Sequence, residues 1–134
     1  MNITEFAIGN YVLLNGAPER VRGIHEDQFE PGRDVLLLGQ GKVPLWYTLK
    51  EIEPIRLTPS VNSVFGLAFD SNNKRGCLYT GFGYTVYFDF NYTVVSIGGN
   101  TMHINTLHEL ANQFRLLRPN FIINIDYDKL KAAI

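Results

Sequence analysis

The stretch from Gly76 to His108 constrains the fold of this chain most, because it is almost free of charge. Asp89 is its one charged residue, and seven aromatic residues lie between Tyr79 and Tyr92. Aromatic residues are enriched in strands, and the glycines that interrupt them are typical of hairpin turns. We therefore expect this part of the chain to form a β-sheet.

The spacing of side chains within this stretch predicts a β-meander. Polar and apolar residues separate onto two faces along residues 84–90, as they do along a strand. Residues 92–97 are predicted to form a second strand and residues 101–104 a third, joined by a hairpin turn at 98–100. Residues 70–76, which precede the meander, are predicted to form a polar loop.

The clearest helix signal follows the meander. Thr106-Leu107-His108-Glu109 matches the capping box. In this motif the Thr side chain accepts the backbone N–H of the Glu, and the Glu side chain accepts the backbone N–H of the Thr. Pro119 ends the helix. The solvent-facing side is predicted to carry His108, Asn112 and Arg115. The opposite, apolar stripe is expected to pack on the meander and consists of Leu107, Leu110, Ala111, Phe114 and Leu117.

Weaker signals predict the remaining elements of the second half. Thr58-Pro59 is typical of a helix N-terminus and Gly66 of a helix end, which predicts a helix of about two turns. Residues 121–125 are predicted to form a strand. Residues 127–134 are predicted to form a frayed helical turn.

Residues 1–57 carry the signals of a small barrel. Short strands are predicted at 8–14, 20–24, 35–38, 43–47 and 54–57, with a hairpin turn at Asn15-Gly16 and a helical turn within 48–52. Five short strands with one helical turn before the last are typical of an SH3-like barrel. We therefore predict an α+β chain, with an SH3-like β subdomain at 1–57 and a meander-plus-helix subdomain at 58–134 that share one core.

Composition excludes several classes of function. The formal net charge is −1, so no overall field attracts nucleic acid or an anionic membrane. A single cysteine, Cys77, cannot form an internal disulfide and favours a reducing compartment. The first residues lack the pattern of a signal peptide, and no apolar run reaches the length of a membrane span. These features predict a cytoplasmic protein.

Four short motifs stand out along the chain: Ile8-Gly9-Asn10-Tyr11-Val12, Gly23-Ile24, Ile52-Glu53-Pro54-Ile55-Arg56-Leu57-Thr58 and Thr106-Leu107-His108-Glu109-Leu110-Ala111-Asn112. Together they resemble a group of small proteins encoded in Bacteroidota genomes, their prophages and their mobile elements. The resemblance covers about residues 6–117, and the chain departs from the group's pattern at Ala7, Arg56, Leu107 and Ala111. It implies a phage or mobile-element setting, and it implies no particular activity, cofactor or partner.

Two side chains are considered as catalytic groups. His108 begins a segment one residue away from H-E-x-x-H, but Asn112 stands where the second zinc-binding histidine belongs. Cys77 follows Lys74 and Arg75, whose charges favour a thiolate, although cysteine is more often a buried core residue. For both His108 and Cys77, an ordinary structural role explains the pattern better than catalysis does. We therefore predict no enzyme, no cofactor and no metal site, with a cryptic enzyme that uses Cys77 or His108 as the alternative.

Two binding functions remain. An uncharged, tyrosine-rich sheet favours a protein partner or a second copy of the chain, since tyrosine is enriched in interfaces. The candidate residues are Tyr79, Tyr87 and Tyr92. The alternative is single-stranded nucleic acid, whose bases stack on aromatic rings beside basic residues. The basic candidates for that function are Lys74, Arg75, Arg115 and Arg118.

Overall fold

The computed structural model describes residues 1–39, 43–120, 122 and 124–134 of the chain. Short 3-10 turns lie at Ile3–Glu5, Pro31–Arg33 and Leu49–Glu51. The helices are α1 (Pro59–Phe65), α2 (Leu107–Leu117) and α3 (Tyr127–Ala133). The strands are β1 (Tyr11–Leu14), β2 (Ala17–His25), β3 (Val35–Leu38), β4 (Leu45–Thr48), β5 (Ile52–Glu53), β6 (Ala68–Asn73), β7 (Gly76–Gly81), β8 (Tyr84–Asp89), β9 (Val94–Ile97) and β10 (Asn100–Ile104).

The chain has an α+β fold, as predicted, with two antiparallel sheets. Its contacts divide it into two compact units. Unit 1 comprises residues 1–55 and 107–123, and unit 2 comprises residues 56–106 and 124–134. None of the helices in the described part of the chain has the length and apolar character needed to cross a bilayer.

Unit 1 contains a curled half-barrel of five strands in the order β4-β3-β2-β1-β5. Asn15-Gly16 makes the predicted tight turn between β1 and β2, with both residues at positive φ and Leu14 opposite Ala17. Leu49–Glu51 forms the predicted helical turn just before the last strand. That last strand lies at Ile52–Glu53 rather than at 54–57, where Pro54 lacks the N–H that a ladder requires.

Helix α2 is grouped with unit 1, whereas the sequence assigned it to the same subdomain as the meander. It begins directly after Thr106, and its Leu107 N–H donates to the carbonyl of Ile55 at 2.8 Å. Asn112 Nδ2 donates to the Glu5 carbonyl at 2.8 Å, and Asn112 Oδ1 accepts from Asn10 Nδ2 at 3.0 Å. Amide contacts with the first residues of the chain therefore hold the helix in unit 1.

Unit 2 contains the predicted meander, extended to five strands in the order β10-β9-β8-β7-β6. Strand β6 covers most of the segment predicted as a polar loop, because its exposed polar residues pair with β7 as an edge strand. Helix α1 has the predicted cap, in which Thr58 Oγ1 accepts the Val61 N–H at 3.2 Å, and Gly66 ends it in the left-handed conformation.

The C-terminal predictions have mixed outcomes. Residues 127–134 contain a helix, α3, whose first turn is capped by Asp126 through a 3.1 Å bond from the Lys129 N–H. In the strand predicted at 121–125, Phe121 and Ile123 lie outside the described residues. The other three residues of that segment have no strand conformation.

Candidate binding surface

A cavity of about 590 Å³ opens on the surface of unit 2. It is lined by residues from the β6–β7 turn and from strands β8 and β9. The lining side chains of interest are Asn73, Lys74, Arg75, Tyr87, Val95 and Ser96. We call this feature the Tyr87 cavity. It brings one predicted partner-binding tyrosine together with two residues predicted for nucleic-acid binding.

The β6–β7 turn supplies the two cations of the Tyr87 cavity. Asn73 pairs with Gly76 across the hairpin, which leaves Lys74 and Arg75 as the two turn residues. Asn73 Oδ1 accepts the Arg75 N–H at 2.8 Å, an Asx turn that holds the backbone in place. Both basic side chains are exposed, and neither makes an ion pair within the described residues.

A β-bulge in β9 creates the apolar part of the Tyr87 cavity. Tyr87 lies opposite Ser96 and Phe88 opposite Val94, so Val95 is an extra residue on its strand. Val94 and Ile97 are both fully buried although they are three residues apart, a spacing that a regular strand would place on opposite faces. The bulge therefore leaves Val95 outside, 36% exposed, on the same side as Tyr87, which is 40% exposed.

Asp89, the one acidic residue between Gly76 and His108, accepts hydrogen bonds within its own turn. Its Oδ1 accepts the N–H groups of Asn91 and Thr93 at 2.9 and 3.0 Å. None of the residues that line the Tyr87 cavity is acidic. The cavity consequently combines an aromatic ring and a valine with two positive charges that have no ion-pair partner in the described ranges.

The other two candidate tyrosines lie elsewhere. Tyr79 is 4% exposed and packs edge-to-face against Phe88 at 5.1 Å, because its position opposite Val86 points it into the core. It therefore forms part of the core and not of an exposed surface. Tyr92 is half-buried, at positive φ, in the turn after β8, with its ring 6.0 Å from that of Phe88.

Cys77 is buried and lies opposite Phe88 on the inner face of the meander. Burial raises the pKa of its thiol, and a side-chain hydrogen bond with Tyr92 opposes this shift only in part. The expectation that Lys74 and Arg75 favour a thiolate is therefore wrong. Burial therefore favours the protonated thiol over the thiolate.

His108 is buried in unit 1, so its predicted solvent-facing position is wrong. Its side chain is 2% exposed, and its ring stacks on Phe6 at 4.6 Å. Among the residues that the structure describes, neither ring nitrogen has a hydrogen-bond partner. Burial lowers the pKa of His108, against smaller opposing effects of Glu109 and Glu5. Burial therefore favours the neutral form of this side chain.

Acid is expected to destabilise the fold through His108. Because its folded-state pKa lies below the ordinary value of about 6.5, the stability is fully present above that pH and falls as the pH decreases toward the folded-state pKa. The His108→Leu variant should lose this dependence. Urea unfolding measures this effect. Below pH ~6.5 the free energy of unfolding of the wild type should fall, relative to that of His108→Leu, by up to about 1.4 kcal/mol per pH unit. His103→Leu, at an exposed position, is the control. Parallel pH profiles of the wild type and His108→Leu would contradict the prediction.

The four basic residues predicted for nucleic-acid binding do not share one unit. Lys74 and Arg75 lie in unit 2, whereas Arg115 and Arg118 lie on or directly after α2 in unit 1. Arg115 donates to the Ile8 carbonyl and to Asn112 Oδ1, both at 3.2 Å, and is partly buried. It therefore holds the N-terminal segment on the helix.

Metal-binding side chains are dispersed in the part of the chain that the structure describes. No three His, Cys, Asp or Glu residues come together there in a way that could hold an ion.

Comparison with known proteins gave no match to a family model, to a curated protein or to a solved structure. The resemblance to proteins of Bacteroidota and their mobile elements therefore stays a prediction from the sequence. The candidate surface must be interpreted from its own geometry.

Proposed function

We propose that this chain is a small interaction module that binds a segment of a protein partner at the Tyr87 cavity. The observation that carries the proposal is the cavity's composition: a half-exposed Tyr87 and Val95 beside two cations that have no ion-pair partner in the described residues. Tyrosine and arginine are the residues most often found at the energetic centre of interfaces. A catalytic role receives less support, since Cys77 and His108 are both buried.

Single-stranded nucleic acid fits the Tyr87 cavity less well than a peptide segment. Sites of that kind combine several stacking rings with a continuous basic groove. Here Tyr79 is in the core, Tyr92 is half-buried, and Arg115 is engaged within unit 1. The overall charge of −1 also gives no long-range attraction for phosphates.

Peptide titration tests the proposed function. The probe is acetyl-Glu-Glu-Tyr-Glu-Glu-amide, added to isotope-labelled protein and followed by NMR. We expect shifts confined to the backbone amides of residues 73–75, 87, 95 and 96. Tyr87→Ala, and Lys74→Glu with Arg75→Glu, should each weaken binding at least about tenfold, since hot-spot residues contribute about 2 kcal/mol or more.

A charge-matched control separates the Tyr87 cavity from overall charge. Lys129→Glu with Lys131→Glu changes the net charge by the same amount on α3, at exposed positions outside the cavity. This variant should bind the peptide nearly as well as the wild type. An oligothymidine of about 12 nucleotides that binds more tightly than the peptide, with affinity falling steeply with salt, would overturn the proposal in favour of nucleic acid.

We also propose that the half-barrel of unit 1 is SH3-like. Its strand order and the 3-10 turn directly before β5 support this assignment. The cytoplasmic location and the prophage or mobile-element setting remain predictions from the sequence.

A further inference from the structure

A loop of unit 1 presents an unusual side chain to solvent. Phe29 is 91% exposed, more than any other large apolar residue in the described part of the chain. It is surrounded in sequence by Glu26, Asp27 and Glu30. We call residues 26–30 the Phe29 loop. The ring of Phe29 is therefore outside the core and available for contact with a partner.

Internal hydrogen bonds hold the Phe29 loop in one conformation. Asp27 Oδ1 accepts the N–H groups of Phe29 and Glu30, both at 2.9 Å, and the Asp27 N–H donates to Asp34 Oδ1 at 2.7 Å. Arg33 pairs with Glu30 at 2.8 Å. The two backbone bonds lower the pKa of Asp27, so its charge persists in mild acid. Binding through such a loop requires little additional ordering.

The Phe29 loop and the Tyr87 cavity are complementary in charge and in polarity. Glu26 and Asp27 of the loop have no ion-pair partner in the described residues. Lys74 and Arg75 of the cavity also have no ion-pair partner there. At about 590 Å³, the cavity is large enough for an aromatic side chain. Aromatic pairs and cations near an aromatic ring both add to affinity when they are removed from water.

We infer that the chain binds a second copy of itself, with the Phe29 loop of one copy in the Tyr87 cavity of the other. This inference rests on the proposed function and names the partner of the same site. The two contacting surfaces are different, so the contact is heterologous rather than a symmetric patch against itself. In this contact Phe29 packs on Tyr87 and Val95, while Glu26 and Asp27 face Lys74 and Arg75.

Complementation between two variants of the full chain tests this inference. Phe29→Ala removes the loop's anchor, and Lys74→Glu with Arg75→Glu reverses the cavity's charge. Sedimentation equilibrium should show that the wild type associates at concentrations up to about 0.5 mM, and that each variant by itself associates at least about tenfold more weakly. An equimolar mixture should form a one-to-one dimer, because one intact loop then meets one intact cavity. Phe90→Ala, at another exposed phenylalanine, should associate like the wild type.

Three outcomes would overturn the inference: a wild type that stays monomeric over this range, association that Phe29→Ala leaves unchanged, and a mixture that shows no dimer although the wild type associates. The proposed function is decided separately by the acetyl-Glu-Glu-Tyr-Glu-Glu-amide titration. A monomeric wild type that binds this peptide at the Tyr87 cavity would retain the interaction module and reject self-association. A wild type that binds neither the peptide nor itself would reject both.

Discussion

Replacing Phe114 by alanine is expected to lower the free energy of unfolding by about 3–5 kcal/mol. Phe114 is fully buried on α2, with Leu110 on the same stripe and equally inaccessible to solvent. Removal of the ring forfeits its burial and leaves a cavity that a close-packed core fills only in part. Urea unfolding followed by far-UV circular dichroism gives the difference directly.

Leu116→Ala is the matched control for Phe114→Ala, because Leu116 lies on the same helix and is 75% exposed. It should change the free energy of unfolding by less than about 0.5 kcal/mol, as is usual for surface positions. Similar losses for the two variants would show that α2 does not bury the face that carries Leu110 and Phe114.

Gly76→Ala is expected to destabilise the meander by about 3 kcal/mol or more, since overpacking and unfavourable backbone conformations each cost about 1–3 kcal/mol. A Cβ at position 76 would overlap the carbonyl oxygen of Phe88 and lie 2.8 Å from the Cα of Asp89. Both obstacles are backbone atoms of the neighbouring strand, so no side-chain movement relieves the overlap. The β7–β8 pairing must shift instead.

The effect of Gly76→Ala should extend to the candidate site, because Gly76 ends the turn that carries Lys74 and Arg75. We expect weaker binding of the peptide probe as well as lower stability. Gly83→Ala is the control, since Gly83 also has positive φ but a Cβ there meets no atom within 4 Å. If Gly83→Ala costs as much as Gly76→Ala, backbone conformation rather than overlap with β8 is responsible.

Local features of the sequence predicted the elements whose determinants lie within a few residues. Asn15-Gly16 predicted the first hairpin turn because both residues tolerate positive φ. Thr58 and Gly66 predicted the ends of α1 through hydrogen bonds made within one turn. The apolar stripe of α2 predicted that Leu110 and Phe114 are buried, since helical spacing places them on one face.

The candidate site depended on a feature that the alternation of side chains does not reveal. The bulge at Val95 lets Val94 and Ile97 both face the core, whereas regular alternation would place them on opposite faces. Tyr87 could be placed on the outer face of β8 from the sequence, but its neighbours Val95 and Ser96 could not. The signal that could have indicated the bulge is the pair Val94 and Ile97, two apolar residues that lie three positions apart in one predicted strand.

The sequence by itself therefore determined the elements whose signals lie within a few neighbouring residues, because propensities, caps and turn residues act over that range. It did not determine β6, whose polar residues form a strand by pairing with β7. Only the tertiary structure decided which surface each apolar face packs against. Asn10 and Asn112 are 102 residues apart in the chain and hydrogen-bonded in unit 1, and this contact helps to place α2 and to bury His108 against Phe6. A face that is apolar along its helix can pack on any sheet of suitable shape, so periodicity predicts burial without naming the surface that provides it.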